Sequence, residues 1–418
     1  MEYFENRQEA ERALLVSLDT GEFDAEASIS ELAELAKTAG AQVIGSMIQN
    51  RDTPNSATFI GTGKLEEVRD FCGKNEIDLL IFDSELSPIQ QRNIERETDV
   101  RTIDRTSLIL DIFAAHARSS EGKIQVELAQ LKYMLPRLTG KGTELSRLGG
   151  GIGTRGPGES KLESDKRHIR RRIAALEEQL KNIEKRRISQ RARRKKDGVE
   201  TVAIVGYTNA GKSTLMNTLT QAGVLAQDKL FATLDPTARA LTLPDGRKIM
   251  LIDTVGLIRR LPHKLVEAFK STLEEAASAD VILNVCDASS PEAAEHLTVT
   301  AKLLEDLECT GKPIICVMNK CDLISDIFNI PSIGASVRIS AKTGEGLPDL
   351  LDTVAAALPP TRRKFSLLIP FSDGAQAALL RREGQVEQEE YRADGLYMEV
   401  VLDVRYFSDI IKQYAVKE

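Results

Sequence analysis

The chain has 418 residues, 42% of them apolar, with 63 acidic against 56 basic side chains and a net charge of −7; that length allows two to four domains with real cores, and the acidic balance excludes nucleic-acid binding over the whole surface. Cysteines at 72, 286, 309, 316 and 321 form no CxxC pair and the four histidines are scattered, so neither a disulfide framework nor a zinc site is expected and a reducing cytoplasm fits. Met1 to Arg12 is polar and no apolar run approaches the roughly 18 residues of a membrane span, which argues against a secretory signal or a bilayer anchor.

Residues 1 to about 105 alternate short apolar runs with helical patterns. Ala13 to Leu18 reads as a strand, Ser28 to Ala39 as a helix opened by Ser28 with Glu31 in capping-box register, and Gln42 to Ile48 as a strand. Lys64 to Lys74 reads as a helix and Asp78 to Phe82 as a strand. Ser87 to Glu97 is a helix capped by Ser87, with Pro88 in its first turn and Gln90 three residues on, and Val100 to Ile103 closes the run. The alternation predicts a small α/β domain with a mostly parallel sheet. Gly61-Thr62-Gly63-Lys64 lacks the spacing and hydroxyl of a phosphate loop; it reads as a helix start, or as one that also touches RNA.

From Arg105 to Lys196 the character changes. Ile124, Leu128, Leu131 and Leu135 recur at helical spacing, as do Ile169, Ile173, Leu176, Leu180 and Ile183, which predicts an antiparallel helical hairpin. Ser160 and Glu163 stand in capping-box register for its second helix, which would run to Lys195, about 54 Å at 1.5 Å per residue. Residues 137–198 hold 19 Lys/Arg and 8 Asp/Glu, a net of +11, so the remainder of the chain carries −18. Such an arm suits a polyanion, and RNA is the reading we carry forward. Between the helices, Pro136 to Ser160 is rich in glycine interleaved with Arg137, Lys141, Arg147 and Arg155; it is expected to be mobile alone and to fold on its target by shape and backbone contact.

Thr201 to Val205, Gly206-Tyr207-Thr208-Asn209-Ala210-Gly211-Lys212-Ser213 and Thr214 to Leu219 give a strand, a glycine-bounded loop and a helix start. This is the arrangement a nucleotide triphosphate needs: backbone N–H groups cradle phosphates, Lys212 meets their charge and Ser213 faces Mg²⁺. Phe231-Ala232-Thr233-Leu234-Asp235 is the candidate mobile element, with Thr233 closing over Mg²⁺ and Thr237 as the alternative. Lys248 to Asp253 is a strand ending in Asp253-Thr254-Val255-Gly256. The carboxylate is placed to hold Mg²⁺ through water, and the Gly256 N–H to approach a γ-phosphate.

Leu257 comes next, where many switch GTPases carry a glutamine that orients water, so slow unaided hydrolysis is expected. Val281 to Asp287 and Pro313 to Met318 read as buried strands. The second leads into Asn319-Lys320-Cys321-Asp322, which resembles the guanine-reading motif of GTPases, in which the Asp322 position accepts from ring N–H and exocyclic amine and so selects GTP over ATP. Val337 to Ile339 leads into Ser340-Ala341-Lys342, the matching base-contact loop. Asn209 resembles an asparagine that holds a monovalent cation, K⁺, in some related GTPases; bracing of the loop is the other reading. After Pro359-Pro360-Thr361, Phe365 to Pro370 and Leu396 to Asp403 read as strands and Gly374 to Arg382 as a helix, a small α+β tail.

Four stretches carry a specific resemblance: residues 57–64 (ATFIGTGK), 86–93 (LSPIQQRN), 124–131 (IQVELAQL) and 147–159 (RLGGGIGTRGPGE). Together with the nucleotide motifs they are similar to the HflX GTPase family over about 360 residues. The resemblance implies a GTPase that binds the large ribosomal subunit and its rRNA, splits stalled or idle ribosomes under stress in some members, and points its glycine-rich tip towards the peptidyl-transferase region. It also implies Phe231 to Asp235 as first switch, with Thr233 and Ser213 on the metal. The expected fold is α/β: an N-terminal α/β domain (1–105), a long antiparallel helical hairpin (106–198), a P-loop GTPase domain with a mixed, mostly parallel sheet (199–360) and a small α+β domain (361–418). A cytoplasmic monomer contacting neither DNA nor membrane is expected. The alternatives are a tRNA-modification or signalling GTPase, and an RNA-binding scaffold merely braced by nucleotide.

Overall fold

The computed structural model describes residues 10–138, 157–196, 199–220, 230–231, 237–260, 262, 265, 276–307, 309, 311–324, 336–359, 362–403 and 407–416. Among these, strands group into sheets of four, six and three.

The first sheet is entirely parallel, in the order β2 (Gln42–Asn50), β1 (Arg12–Asp19), β3 (Leu79–Phe82), β4 (Arg101–Asp104). Alternation along β1 and β3 divides its core. Leu14, Val16, Leu80 and Phe82 face helices α2 (Thr62–Asn75) and α3 (Pro88–Thr98). Ala13, Leu15, Leu79 and Ile81 face α1 (Ala25–Thr38) and α4 (Arg105–His116). The capping box at Ser87 and Gln90 is present, and Gly61 is the N-cap of α2.

Two expectations change around this sheet. Helix α1 starts earlier, capped by Asp24, whose side chain accepts from the Ala27 N–H. Ser28 is therefore a buried position inside the helix and caps nothing. Helix α4 falls in the stretch assigned to the hairpin; its apolar residues lie on several sides because it is sandwiched between sheet and arm, so no amphipathic stripe marked it.

The hairpin is α5 (Ser120–Arg137) against α6 (Pro157–Lys196), a 40-residue helix about 60 Å long at 1.5 Å per residue. It begins before Ser160, so that residue is not its cap. Leu176 is fully buried, and Ile169, Ile173, Leu180 and Ile183 are half-buried along the same seam. Arg187–Glu121 at one end and Lys132–Glu177 towards the other cross-link the helices in antiparallel sense, and Arg172 forks on Glu127 at 2.6 and 2.8 Å. The C-terminal end of α5 is fixed to the N-terminal domain by buried Asp104, which accepts from the Tyr133 hydroxyl (2.6 Å), the Leu86 N–H (2.9 Å) and Arg137 (3.2 Å). The predicted glycine-rich tip, 139–156, lies outside the described residues.

The second sheet has the order β10 (Ser336–Arg338), β9 (Ile314–Asn319), β8 (Val281–Asp287), β5 (Glu200–Gly206), β7 (Lys248–Asp253), β6 (Thr237–Thr242). Every pair is parallel except β6 on β7. Helices α7 (Lys212–Thr220) and α9 (Leu347–Ala357) cover one face, and α8 (Ala293–Asp306) packs on the other. The tail is an antiparallel sheet, β11 (Arg362–Ile369), β13 (Gly395–Asp403), β12 (Gln385–Arg392), with α10 (Gly374–Glu383) and α11 (Ser408–Tyr414). No helix among the described residues is long and apolar enough to cross a membrane.

Candidate nucleotide site

Among the described residues, the predicted site residues other than Phe231 lie at or just beyond the carboxyl ends of β5, β7, β9 and β10, where an open parallel sheet leaves a crevice. At the end of β5 the backbone must leave the plane between β7 and β8. Gly206 does so at φ +149°, and a Cβ there would stand 2.1 Å from the Val285 carbonyl oxygen. Gly211, at φ +89°, would drive a Cβ to 2.3 Å from Asn319 Nδ2. Between them Asn209 stands exposed at the loop tip in left-handed conformation (φ +61°), which asparagine tolerates, while Thr208 and Ala210 are buried.

Lys212 opens α7, with Thr214 in its first turn, and gives its ammonium to the Gly206 (3.0 Å) and Tyr207 (2.7 Å) carbonyls. Burial pushes its pKa down to about 8, partly opposed by the Asp253 carboxylate. A charge held out of water this way is stabilised by an arriving anion, and the helix N-terminus adds to the same field. Ser213 Oγ donates to Asp253 Oδ2 at 2.9 Å. A hydroxyl and a buried carboxylate are hard oxygen donors suited to Mg²⁺, so the residues fit the ion. Thr254 turns its hydroxyl back to the Ile204 carbonyl (2.7 Å), and Val255 is buried against the N-terminal domain. A Cβ on Gly256 would lie 3.2 Å from Lys212 Nζ.

The base end is built separately. Buried Asn319 donates to the Ala210 carbonyl (2.8 Å) and accepts from the Ala341 N–H (2.9 Å), clamping phosphate loop to base loop. Thr218 Oγ1 reaches the Ala341 carbonyl at 2.7 Å. Ser340 is buried and accepts from the Thr343 N–H. Lys320 adopts the left-handed conformation and pairs with Asp287 at 2.7 Å, while Asp322 and Lys342 are exposed beside them.

Phe231 is buried, edge-on to Phe113 of α4 with ring centroids 4.7 Å apart. Ala232, Thr233, Leu234 and Asp235 lie outside the described residues. Thr237, the alternative to Thr233, opens β6 opposite Asp253.

Sequence reasoning stopped at Leu257 and missed Arg259 and Arg260 just beyond it. Leu257 is buried and bonded to the loop: its N–H donates to the Gly206 carbonyl (3.1 Å) and its carbonyl accepts from the Thr208 N–H (2.7 Å). The Arg259 N–H donates to the Tyr207 hydroxyl (2.7 Å), which in turn donates to Glu31 of α1, while the Tyr207 ring stacks on His296 at 3.8 Å. Arg105 bonds Glu31, Asp83 Oδ1 (2.8 Å) and the Arg259 carbonyl (3.1 Å). Arg260 bonds Asp83 Oδ2 (3.0 Å) and Ser84 Oγ (2.9 Å) and lies over the Phe23 ring at 3.8 Å. A buried carboxylate at a strand end was the available signal, and no motif flags it.

Three family models match the chain: GTP-binding GTPase N-terminal over residues 26–114, GTP-binding GTPase Middle Region over 116–194 and 50S ribosome-binding GTPase over 201–320. Relatives described as GTPase HflX include one from Caldanaerobacter subterraneus subsp. tengcongensis, 52% identical over 93% of this chain and 90% of the relative. One from Lacrimispora saccharolytica is 47% identical over 98% and 97%, and one from Escherichia coli K12 is 40% identical over 94% and 93%. Among solved structures, the SsGBP–GDP complex is 30% identical over 83% of this chain and 98% of that one, with a TM-score of 0.47.

Proposed function

Because the chain belongs to the HflX family of GTPases, and so hydrolyses GTP to GDP and phosphate, we propose that it does so while bound to the large ribosomal subunit, gripping rRNA through the α5–α6 arm. The observation that carries this reading is the charge on that arm. Arg167, Arg170, Arg171, Lys181, Lys185 and Arg186 are exposed on α6, within a stretch of net +11 on a chain of net −7. Counterion release makes such a surface a grip for RNA phosphates. A matched family is described as 50S ribosome-binding, which supports the choice of polyanion.

In this reading the loop from Gly206 to Ser213 cradles the phosphates, with Thr214 behind it. Ser213 and Thr233 hold Mg²⁺ directly and Asp253 through water, and Asn319, Lys320, Asp322 and the 340–342 loop hold guanine. The ion would neutralise charge between the β- and γ-phosphates. Lys212, Thr233 and Gly256 meet the γ-phosphate. Leu257 cannot orient water, so hydrolysis alone is slow and the ribosome supplies the missing group; GTP favours binding and hydrolysis favours release. K⁺ beside Asn209, a cytoplasmic location, a monomeric state and the four-domain division at 105, 198 and 360 belong to the same proposal, as does the splitting of stalled or idle ribosomes.

Co-sedimentation with separated subunits, in GMPPNP and in GDP, tests it. Binding should be confined to large subunits, stronger with GMPPNP, and lost about tenfold or more when Arg167, Arg170 and Arg171 are changed to Glu. Equal binding by that variant, or no rise in hydrolysis with large subunits, refutes the proposal; hydrolysis unaffected by ribosomes but raised by tRNA would favour the modification-enzyme alternative.

A further inference from the structure

The strand order β2-β1-β3-β4 puts the reversal of the N-terminal sheet between β1 and β3, the point at which α/β sheets form a ligand crevice at their carboxyl ends. In this chain that crevice holds a side chain of the GTPase domain. Asp83, fully buried just after β3, accepts from Ser17 of β1 (3.3 Å), Ser28 of α1 (2.7 Å) and Arg105 (2.8 Å), and its remaining capacity is filled by Arg260 (3.0 Å). Ser84 and the Phe23 ring complete the socket.

The tether between socket and phosphate site is short. Arg260 is four residues from Gly256, and each residue between is held: Leu257 by both backbone groups on the phosphate loop, Ile258 in the core shared with α1 and α4, Arg259 by Tyr207 and Arg105. Arg260 itself is left-handed at φ +48°, a conformation that costs energy for a non-glycine residue unless its surroundings impose it. The consequence is the position of Gly256. A Cβ there would be 3.1 Å from Thr208 Cα and 3.2 Å from Lys212 Nζ, so Gly256 lies close against both the phosphate loop and its lysine. A diphosphate, which ends at the loop, leaves Gly256 where it is. A γ-phosphate entering between Gly256 and Lys212 would push the glycine outwards, and the segment 257–259, held at each residue, would carry that push to Arg260.

We propose that seating of Arg260 in the N-terminal crevice, against Asp83 and Ser84, sets the preference of the guanine site for diphosphate over triphosphate, so that the N-terminal domain carrying the arm feels which nucleotide is bound. The proposal rests on the GTPase reading of the site and adds residues outside the nucleotide motifs as determinants of its specificity.

The chain has no tryptophan, so Phe23→Trp places a single reporter under the Arg260 guanidinium. In the full-length protein with Mg²⁺, GMPPNP should change its fluorescence and GDP should not, and the change should vanish in Phe23→Trp/Arg260→Ala. The ratio of GMPPNP to GDP dissociation constants, from competition with a fluorescent GDP, should fall about tenfold in Arg260→Ala through tighter triphosphate binding, with Arg260→Lys in between. A reporter that answers both nucleotides alike, or a ratio within about twofold of the parent's, overturns the proposal alone. Failure of the parent protein to bind either nucleotide overturns the GTPase reading along with it.

Discussion

The two ends of the nucleotide site are built differently. At the base end the bonds among the described residues stay within the GTPase domain: Asn319 to Ala210 and Ala341, Thr218 to Ala341, Lys320 to Asp287. At the phosphate end the walls are shared, because Tyr207 of the loop and Arg259 and Arg260 beyond Gly256 are bonded to Glu31, Arg105 and Asp83 of another domain. A base is the same in every nucleotide state and can be met by a fixed pocket. The terminal phosphate comes and goes, and under the proposal above a wall shared with a second domain would convert its presence into a change that domain can feel.

The comparison is most exposed at Asp83. Removing one partner from a buried ion network leaves the others desolvated and unpaired, at about 3–5 kcal/mol. Asp83→Ala takes a buried carboxylate from Arg105, which keeps Glu31, and from Arg260 together. It should cost that amount in urea unfolding while the folded fraction still binds GDP within about threefold of the parent. A GDP affinity that falls in step with stability would mean that the base end, too, depends on the N-terminal domain.

Asn319→Ala tests the other end. It strips a buried carbonyl and a buried N–H of their partner, so about 2–3 kcal/mol should be lost. GDP and GMPPNP should weaken together by roughly tenfold or more, since what fails is the alignment of loop and base. Selective loss of GMPPNP would contradict the separation of the two ends.

The same division decides what the sequence could tell. That the GxxxxGKS loop, Asp253-Thr254-Val255-Gly256, Asn319-Lys320-Cys321-Asp322 and Ser340-Ala341-Lys342 stand at strand ends was legible because each is a local string that follows an apolar strand run. The parallel sheets were legible for a related reason, as apolar runs such as Val281 to Val285 and Leu79 to Phe82 bury wherever they occur. Arg105, Asp83, Glu31 and Arg260 are distant in sequence, and none has a spacing rule. Their roles come from a domain contact, which leaves no periodicity. Helix α4 was missed for the same cause: buried on several sides, it lacks the stripe by which amphipathic helices are read. Strand β6 was missed because, at a sheet edge, most of its residues are exposed.

Lys212, at the phosphate end, makes stability depend on pH. Its pKa of about 8 in the folded protein lies below the 10.5 of an exposed lysine. The unfolded chain therefore binds more protons between these values, and the cost of burying the charge is fully present below pH 8 and fades as pH rises towards 10.5. Lys212→Met removes that cost. Without nucleotide the variant should be more stable than the parent by roughly 1–3 kcal/mol at pH 7, a gap that closes between pH 8 and 10.5, although it no longer binds GTP or GDP. A variant less stable at pH 7, or a gap indifferent to pH, would show that the ammonium is held for the loop's own sake rather than kept ready for phosphate.

The smallest effect is the most discriminating for the base end. Thr218 Oγ1 donates to the Ala341 carbonyl at 2.7 Å from inside α7, and Thr218→Val keeps the shape while deleting the donor. Loss of one such bond costs about 0.5–1.5 kcal/mol. Because the bond joins two parts of the GTPase domain and touches nothing near Gly256, GDP and GMPPNP affinities should fall together by less than about fivefold, with their ratio unchanged. A ratio that moved would place the base loop within the same taut connection that runs from Gly256 to Arg260, and the two ends would have to be treated as one device.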